Sequence, residues 1–158
     1  GENTSTKATE KAKEIFKLSG SSIVTVNKEI DGFILNRLQG ALLNEAMRLY
    51  SEGYASSEDI DATIKDGLGL RWAFMGPFET IDLNAPGGIK DYMARYGSIF
   101  IEMAKSQTKI PDWSENAGKK LELERRKVLS EDDLEKRAKK RNFLLKQLRR
   151  LKIENDET

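Results

Sequence analysis

Apolar residues recur with a helical period along most of the chain. Over residues 6–18, Ala8, Ala12, Ile15 and Phe16 fall on one side and Lys and Glu elsewhere, which predicts a short helix closed at Gly20. From 33 to 52 a wide stripe of Ile34, Leu35, Leu38, Leu42, Ala46, Leu49 and Tyr50 predicts a long helix ending at Gly53. Ser56 with Asp59 is a capping signal for a second helix through Ile60 and Ile64, expected to stop at Gly67. Pro77, tolerated in a first helical turn, opens a short helix through Leu83. Pro86-Gly87-Gly88 then breaks the chain before a longer helix over about 89–105, carrying Tyr92, Met93, Tyr96, Ile99, Phe100 and Met103. Ser130 with Asp133 starts a last helix, where Leu134, Ala138, Leu145 and Leu148 keep helical spacing.

One segment breaks this pattern. Ser22-Ile23-Val24-Thr25-Val26-Asn27 is rich in β-branched residues and reads as the one strand. A single strand makes no sheet, so it needs a partner from elsewhere. The expected fold class is all-α, with one leftover N-terminal helix and strand.

Composition narrows the chemistry. The 158 residues suit one domain, and 27 Lys plus Arg against 26 Asp plus Glu give a net charge of +1 and no global field. A strongly basic nucleic-acid binder is therefore not expected. The cluster Arg137-Ala138-Lys139-Lys140-Arg141 is offset by Glu131, Asp132, Asp133 and Glu135 and has no interleaved aromatic, so it reads as a solvated helix face. The absence of Cys excludes disulfides and thiolate zinc sites, and the absence of His removes the commonest general base and metal ligand. No apolar run reaches the ~20 residues that span a bilayer. The opening Gly1-Glu2-Asn3-Thr4 has no signal-peptide pattern, and Gly1 in place of Met fits a trimmed start.

Two polar residues stand out as chemistry. Asn36 falls in the first turn of the long helix, away from Ile34 and Leu38, where its amide can donate and accept near the positive end of the helix dipole. Gly40 lies one turn further on the same face, leaving room for close approach. On the residues alone the simpler reading is that Asn36 is an ordinary polar first-turn residue. Arg71 stands among glycines and aromatics in Gly67-Leu68-Gly69-Leu70-Arg71-Trp72-Ala73-Phe74-Met75-Gly76, and its planar fork matches a carboxylate. The alternative is a surface Arg71 stacked on Trp72, with Trp72 and Phe74 in the core. Glu79, Asp82 and Asn84 read as capping or surface groups.

Asp31-Gly32-Phe33-Ile34-Leu35-Asn36-Arg37-Leu38 resembles the Pro/Asp-Gly-Phe-x-x-Asn-Arg signature that opens the C-terminal domain of 3-hydroxyacyl-CoA dehydrogenases. Gly-Leu-Gly-Leu-Arg-Trp-Ala-Phe-Met-Gly-Pro-Phe-Glu-Thr, from Gly67, resembles the branch of that family containing λ-crystallin, L-gulonate 3-dehydrogenase and carnitine dehydrogenases. Ile110-Pro111-Asp112-Trp113-Ser114 and the charged tail are similar to the same branch.

The resemblance implies a helical domain like the 6-phosphogluconate dehydrogenase C-terminal domain, cut from an NAD-binding Rossmann half that supplies a His–Glu pair. Residues 1–28 would be the last helix and strand of that half, and 29–158 the helical substrate and dimerisation domain. It implies that Asn36 is the active-site Asn, orienting the substrate oxygen or the catalytic His. It implies that Arg71 binds the carboxylate of a small 3-hydroxy acid, which is oxidised to the 3-keto acid. No residue of this segment is expected to bind the cofactor or a metal, and the segment alone should be inactive. A homodimer in the cytoplasm is expected, without nucleic acid or membrane. The alternative is a non-catalytic helical structural module of crystallin type; a basic-tailed nucleic-acid adaptor is a third reading.

Overall fold

The computed structural model describes residues 3–156, which fall into two compact units divided between Ala41 and Leu42. Among the described residues every regular element is helical.

The first unit opens with α1, Thr6–Leu18. Ser5 starts it because its hydroxyl accepts the Ala8 N–H at 3.2 Å, satisfying one of the orphan donors of a helix start. Gly20, at φ +71°, follows its end. The segment 22–27 is not a strand: it has no regular structure, although its β-branched residues favour one. A ladder needs a neighbouring strand, and none exists among the described residues, so the propensity has nothing to pair with. Instead Ile23 and Val24 line an open cleft of about 510 Å³ with Ala8, Ala12 and Phe16 of α1.

A tight turn then leads into α2, Phe33–Ser51, inside which the division between the units falls. The Phe33 N–H donates to Ile30 O at 3.0 Å, and Gly32 at φ +81° takes the position where a type II turn requires a left-handed residue.

In the second unit, three helices meet through one carboxylate. Glu124 on α7, Glu115–Val128, accepts both the Ser57 N–H and the Ser57 hydroxyl at 2.8 Å. It thereby caps α3, Ser57–Ala62, and it also hydrogen-bonds Tyr50 near the end of α2. These hydrogen bonds, led by that of the Ser57 hydroxyl, hold the Glu124 carboxyl below its ordinary range. Burial, with the hydrogen bond to Glu124 behind it, pushes the Tyr50 phenol up. Trp113 Nε1 donates to Asn44 Oδ1 at 3.0 Å, tying the segment before α7 to α2.

The helix begun at Ser57 does not stop at Gly67. It runs on through a π-helical turn, Thr63–Leu68, into α4, Gly69–Trp72. Gly67 and Gly69 thus lie within helical turns. Beyond them α5, Pro77–Leu83, packs on α6, Gly88–Ser106. Asp82 Oδ1 accepts the Ile89 N–H at 2.6 Å, and a Cβ on Gly88, at φ +70°, would lie 2.7 Å from that oxygen.

Ser114 caps α7, a helix the charged composition after Pro111 concealed. Ser130 does not cap the last helix by accepting a backbone N–H. Its hydroxyl donates to Asp133 Oδ2 at 3.0 Å, and a 3₁₀ turn, Glu131–Asp133, precedes α8, Leu134–Asp156.

Burial is sparse. Among the described residues the buried ones are the apolar Met47 and Ala85 and the polar Ser57 and Thr80, and no large side chain is fully buried. On α6, Met93, Ile99 and Phe100 are more than half exposed. Apolar area of this kind is left for another surface to cover.

Candidate functional site

Asn36 lies in the first turn of α2, whose start is set by two consecutive left-handed residues. Gly32 takes φ +81° without cost, whereas Phe33 takes φ +49° against its own Cβ. A bulky residue in that region stores strain of order 1–3 kcal/mol, which is common beside functional groups. The result is a helix that begins abruptly, directly after the turn closed by the Phe33 N–H on Ile30 O. Asn36 is exposed, and its side-chain amide makes no hydrogen bond within the described structure. It is thus free to donate and accept at the positive end of the helix dipole. Gly40, one turn on, has open space where a Cβ would stand.

Arg71 lies in the second unit, on α4. It is exposed, and its guanidinium takes part in no ion pair or hydrogen bond within the described structure. It is not stacked on Trp72. The cation–π contacts found are Arg48 over Tyr54 and Lys120 over Tyr50, each at 6.0 Å. Nor are Trp72 and Phe74 core residues: they are 40% and 54% exposed, so the bland alternative for this segment loses its packing rationale. Arg71 is an unpaired planar fork on a helical support. By contrast Arg48 is held by Glu45 and Glu52, and the Glu45 bond pushes its basicity up.

The Glu79, Asp82 and Asn84 group divides. Asp82 is the cap of α6 already described, while Glu79 and Asn84 are exposed. Asp91 closes the other side of that corner. It pairs with Arg95 at 2.7 Å and accepts the Gly87 N–H at 3.2 Å, and the Arg95 bond, more than the Gly87 one, lowers its carboxyl.

The sequence reading missed Glu124 altogether. Its partner Ser57 is 67 residues away, and a contact of that span leaves no periodic trace. It also missed an open apolar pocket of about 360 Å³, lined by Leu43, Met47, Tyr50, Ile60, Trp113 and Leu121. No group of three or more potential metal ligands occurs among the described residues. Those residues also provide no strand leading through a glycine loop into a helix, so they do not fit a dinucleotide's pyrophosphate.

Residues 32–142 match the family described as 3-hydroxyacyl-CoA dehydrogenase, C-terminal domain. Lambda-crystallin of Oryctolagus cuniculus is 40% identical over 151 residues, which cover 94% of this chain and 47% of that protein. The Lambda-crystallin homolog of Rattus norvegicus is 46% identical over 98 residues, 62% of this chain and 30% of that protein. L-carnitine dehydrogenase of Streptomyces coelicolor is 41% identical over 98 residues, 61% of this chain and 31% of that protein. The chain thus spans less than half the length of the curated relatives it matches.

Proposed function

The chain belongs to the 3-hydroxyacyl-CoA dehydrogenase family, of which it carries the C-terminal domain, and we propose that it is the substrate-facing half of an NAD-dependent oxidoreductase converting a 3-hydroxy acid to the 3-keto acid. The observation that carries this reading is Arg71: an exposed guanidinium with no partner, fixed on a helix instead of a loose loop. Such a group suits a free carboxylate, through two parallel charge-assisted hydrogen bonds. The name of the carnitine dehydrogenase relative, an enzyme for a hydroxy acid with a free carboxylate, supports the same substrate class.

Oxidation at C3 needs a hydride acceptor and a base for the hydroxyl proton. NAD supplies the first, and a second domain of the protein is assigned both, because the described residues hold no dinucleotide cradle and the sequence no His. This chain's own tasks are binding and orientation. Arg71 holds the carboxylate. Asn36 places an amide where it can hydrogen-bond the substrate oxygen or the base, and the helix dipole favours negative charge there. Residues 1–28 are read as the end of the nucleotide-binding domain, and the cytoplasm as the compartment.

The same reading includes a homodimer. Exposed apolar residues on α2 and α6, such as Leu35 and Leu38, or Met93 and Ile99, supply the surface such an interface buries. Sedimentation should show a dimer at tens of micromolar; a monomer there removes this part of the proposal. A second reading, a non-catalytic structural module, is favoured by the lambda-crystallin relatives. Turnover of any free hydroxy acid with NAD by the full-length protein decides against it.

The deciding experiment is Arg71→Met in the full-length protein, with L-carnitine, L-gulonate and 3-hydroxybutyrate as substrates. Hydrogen bonds to charged groups contribute about 1.5–3 kcal/mol, so kcat/KM for the preferred acid should fall roughly 10- to 150-fold. NAD affinity should not move. Unchanged kcat/KM for every acid tested sinks the carboxylate clamp. Calorimetric titration of residues 1–158 alone should detect no micromolar NAD binding.

A further inference from the structure

The helix that carries Arg71 contains an extra residue. From Ser57 to Trp72 the backbone is continuous, but at Thr63–Leu68 the bonding widens, and the Gly69 N–H donates to Ile64 O, five residues back. The α-pattern then resumes, with the Ala73 N–H on Gly69 O at 3.0 Å. π-turns of this kind recur at functional sites, because they insert one residue without breaking the helix.

Beyond the wide turn, burial follows the shifted register. Ile60, Ile64, Gly67, Leu68, Gly69 and Ala73 are half-buried, whereas Leu70, Arg71 and Trp72 are exposed, so after the turn the inner line passes through Ala73 and not Trp72. In an uninterrupted α-helix the inner line would continue from Ile64 to Leu68 and Trp72. Each residue turns an α-helix by about 100°, so Arg71 would then face about 100° away from its present direction.

Gly69 is what permits the wider turn. Its φ of −62° is ordinary, so no left-handed backbone demands glycine there. Space does: a Cβ would stand 2.9 Å from Ile64 O, a backbone atom held in the same turn.

We propose that Gly69 is a positioning residue for Arg71, keeping the π-turn that sets the face from which the guanidinium meets its substrate. This rests on the carboxylate role of Arg71 given above. The alternative is that Gly69 merely lets another group approach, in which case the register after it is irrelevant.

The test uses the full-length protein with L-carnitine, L-gulonate and 3-hydroxybutyrate, and reads KM and kcat separately. Gly69→Ala should raise KM roughly tenfold or more, while kcat stays within about threefold and NAD affinity is unchanged. Deleting Asp66, an exposed residue of the π-turn, should restore KM in the Gly69→Ala background. The deletion converts the turn to an α-turn, which accepts a Cβ, and leaves every later residue on its present face.

Wild-type KM in Gly69→Ala overturns the proposal, and so does failure of the deletion to restore it when helix content by circular dichroism is native. If Gly69→Ala does not fold, two variants that keep Gly69 decide. Deletion of Asp66 alone should leave KM within about threefold, and insertion of one Ala after Asp66 should raise it, because only the insertion rotates Arg71. Equal KM in those two variants overturns the proposal. The measurement is made beside Arg71→Met. No effect of Arg71→Met rejects the carboxylate role itself, whereas an effect there with none from Gly69→Ala rejects only the positioning.

Discussion

Two glycines introduce the two candidate site residues, and they do so for opposite reasons. Gly32, four residues before Asn36, is required by its backbone: φ is +81°, and a Cβ there would meet only the Arg37 and Asn36 side chains at 3.6 and 3.7 Å, an ordinary contact. Gly69, two residues before Arg71, is required by space alone, with a normal φ and a backbone oxygen where its Cβ would be. The first glycine makes a helix begin; the second lets a helix continue with one residue too many. Identical residues can thus aim side chains by a turn or by a register shift, and only the structure separates the two.

The largest expected effect is at the end of the first device. On the proposed reading, Asn36→Ala removes an amide that acts on the reacting oxygen. Loss of one such donor lowers kcat roughly 100-fold or more, with less change in KM. Arg71→Met should instead act through substrate binding. If both variants change only KM, Asn36 is a binding residue and not an orienting one.

Gly32→Ala tests the turn itself. A non-glycine residue in the left-handed region costs roughly 1–2 kcal/mol. Thermal denaturation should show that loss for Gly32→Ala, with Gly32→Val at least as destabilised. An unchanged melting temperature would mean that the turn relaxes to another geometry, and the distinction drawn between Gly32 and Gly69 would collapse.

The legible part of the molecule is the part that repeats. The period of Ala8, Ala12 and Phe16, the proline at the start of α5 and the Pro86-Gly87-Gly88 break marked helices that the structure contains at those places. The failures each have a physical cause. Residues 22–27 had strand propensity without a partner strand. Gly67 looked like a stop because i→i+5 bonding has no sequence period to betray it. The helix α7 was hidden because Lys, Arg and Glu occupy most of its positions and apolar spacing is thin. Among the candidate residues, Asn36 and Arg71 could be singled out by residue type, but the left-handed Phe33 and the unpaired state of Arg71 could not.

Glu124 gives a smaller, pH-dependent effect. Glu124→Gln keeps an oxygen for Ser57 but loses the charge, and the melting temperature at pH 7 should fall by roughly 2–4 °C. The sign follows from the lowered carboxyl: the folded state prefers the ionised form, so the stabilisation is present above the ordinary carboxylate range. It fades as pH falls through the depressed folded value. The gap between wild type and Glu124→Gln should therefore close on acidification. A gap that is the same at pH 4 and pH 7 would show that the Glu124 charge contributes nothing.

The smallest effect expected is at Phe33, and it carries a sign opposite to the others. The ring is 57% exposed, so little packing is lost when it is removed, while its φ of +49° is a standing cost that glycine does not bear. Against that gain stands the greater backbone freedom that glycine loses on folding, about 0.5–1 kcal/mol in a helix interior and less at a helix start. Relief of left-handed strain, of order 1–2 kcal/mol, should slightly exceed it. Phe33→Gly should therefore raise the melting temperature by about 1–3 °C, whereas Phe33→Ala, which keeps the strain, should not. Paired with the loss expected for Gly32→Ala, the two substitutions move stability in opposite directions at adjacent positions of one turn. If Phe33→Gly destabilises as much as Gly32→Ala, the ring is held by a surface that this chain does not itself provide. The strained start of α2 is then stabilised by that contact and not by the turn.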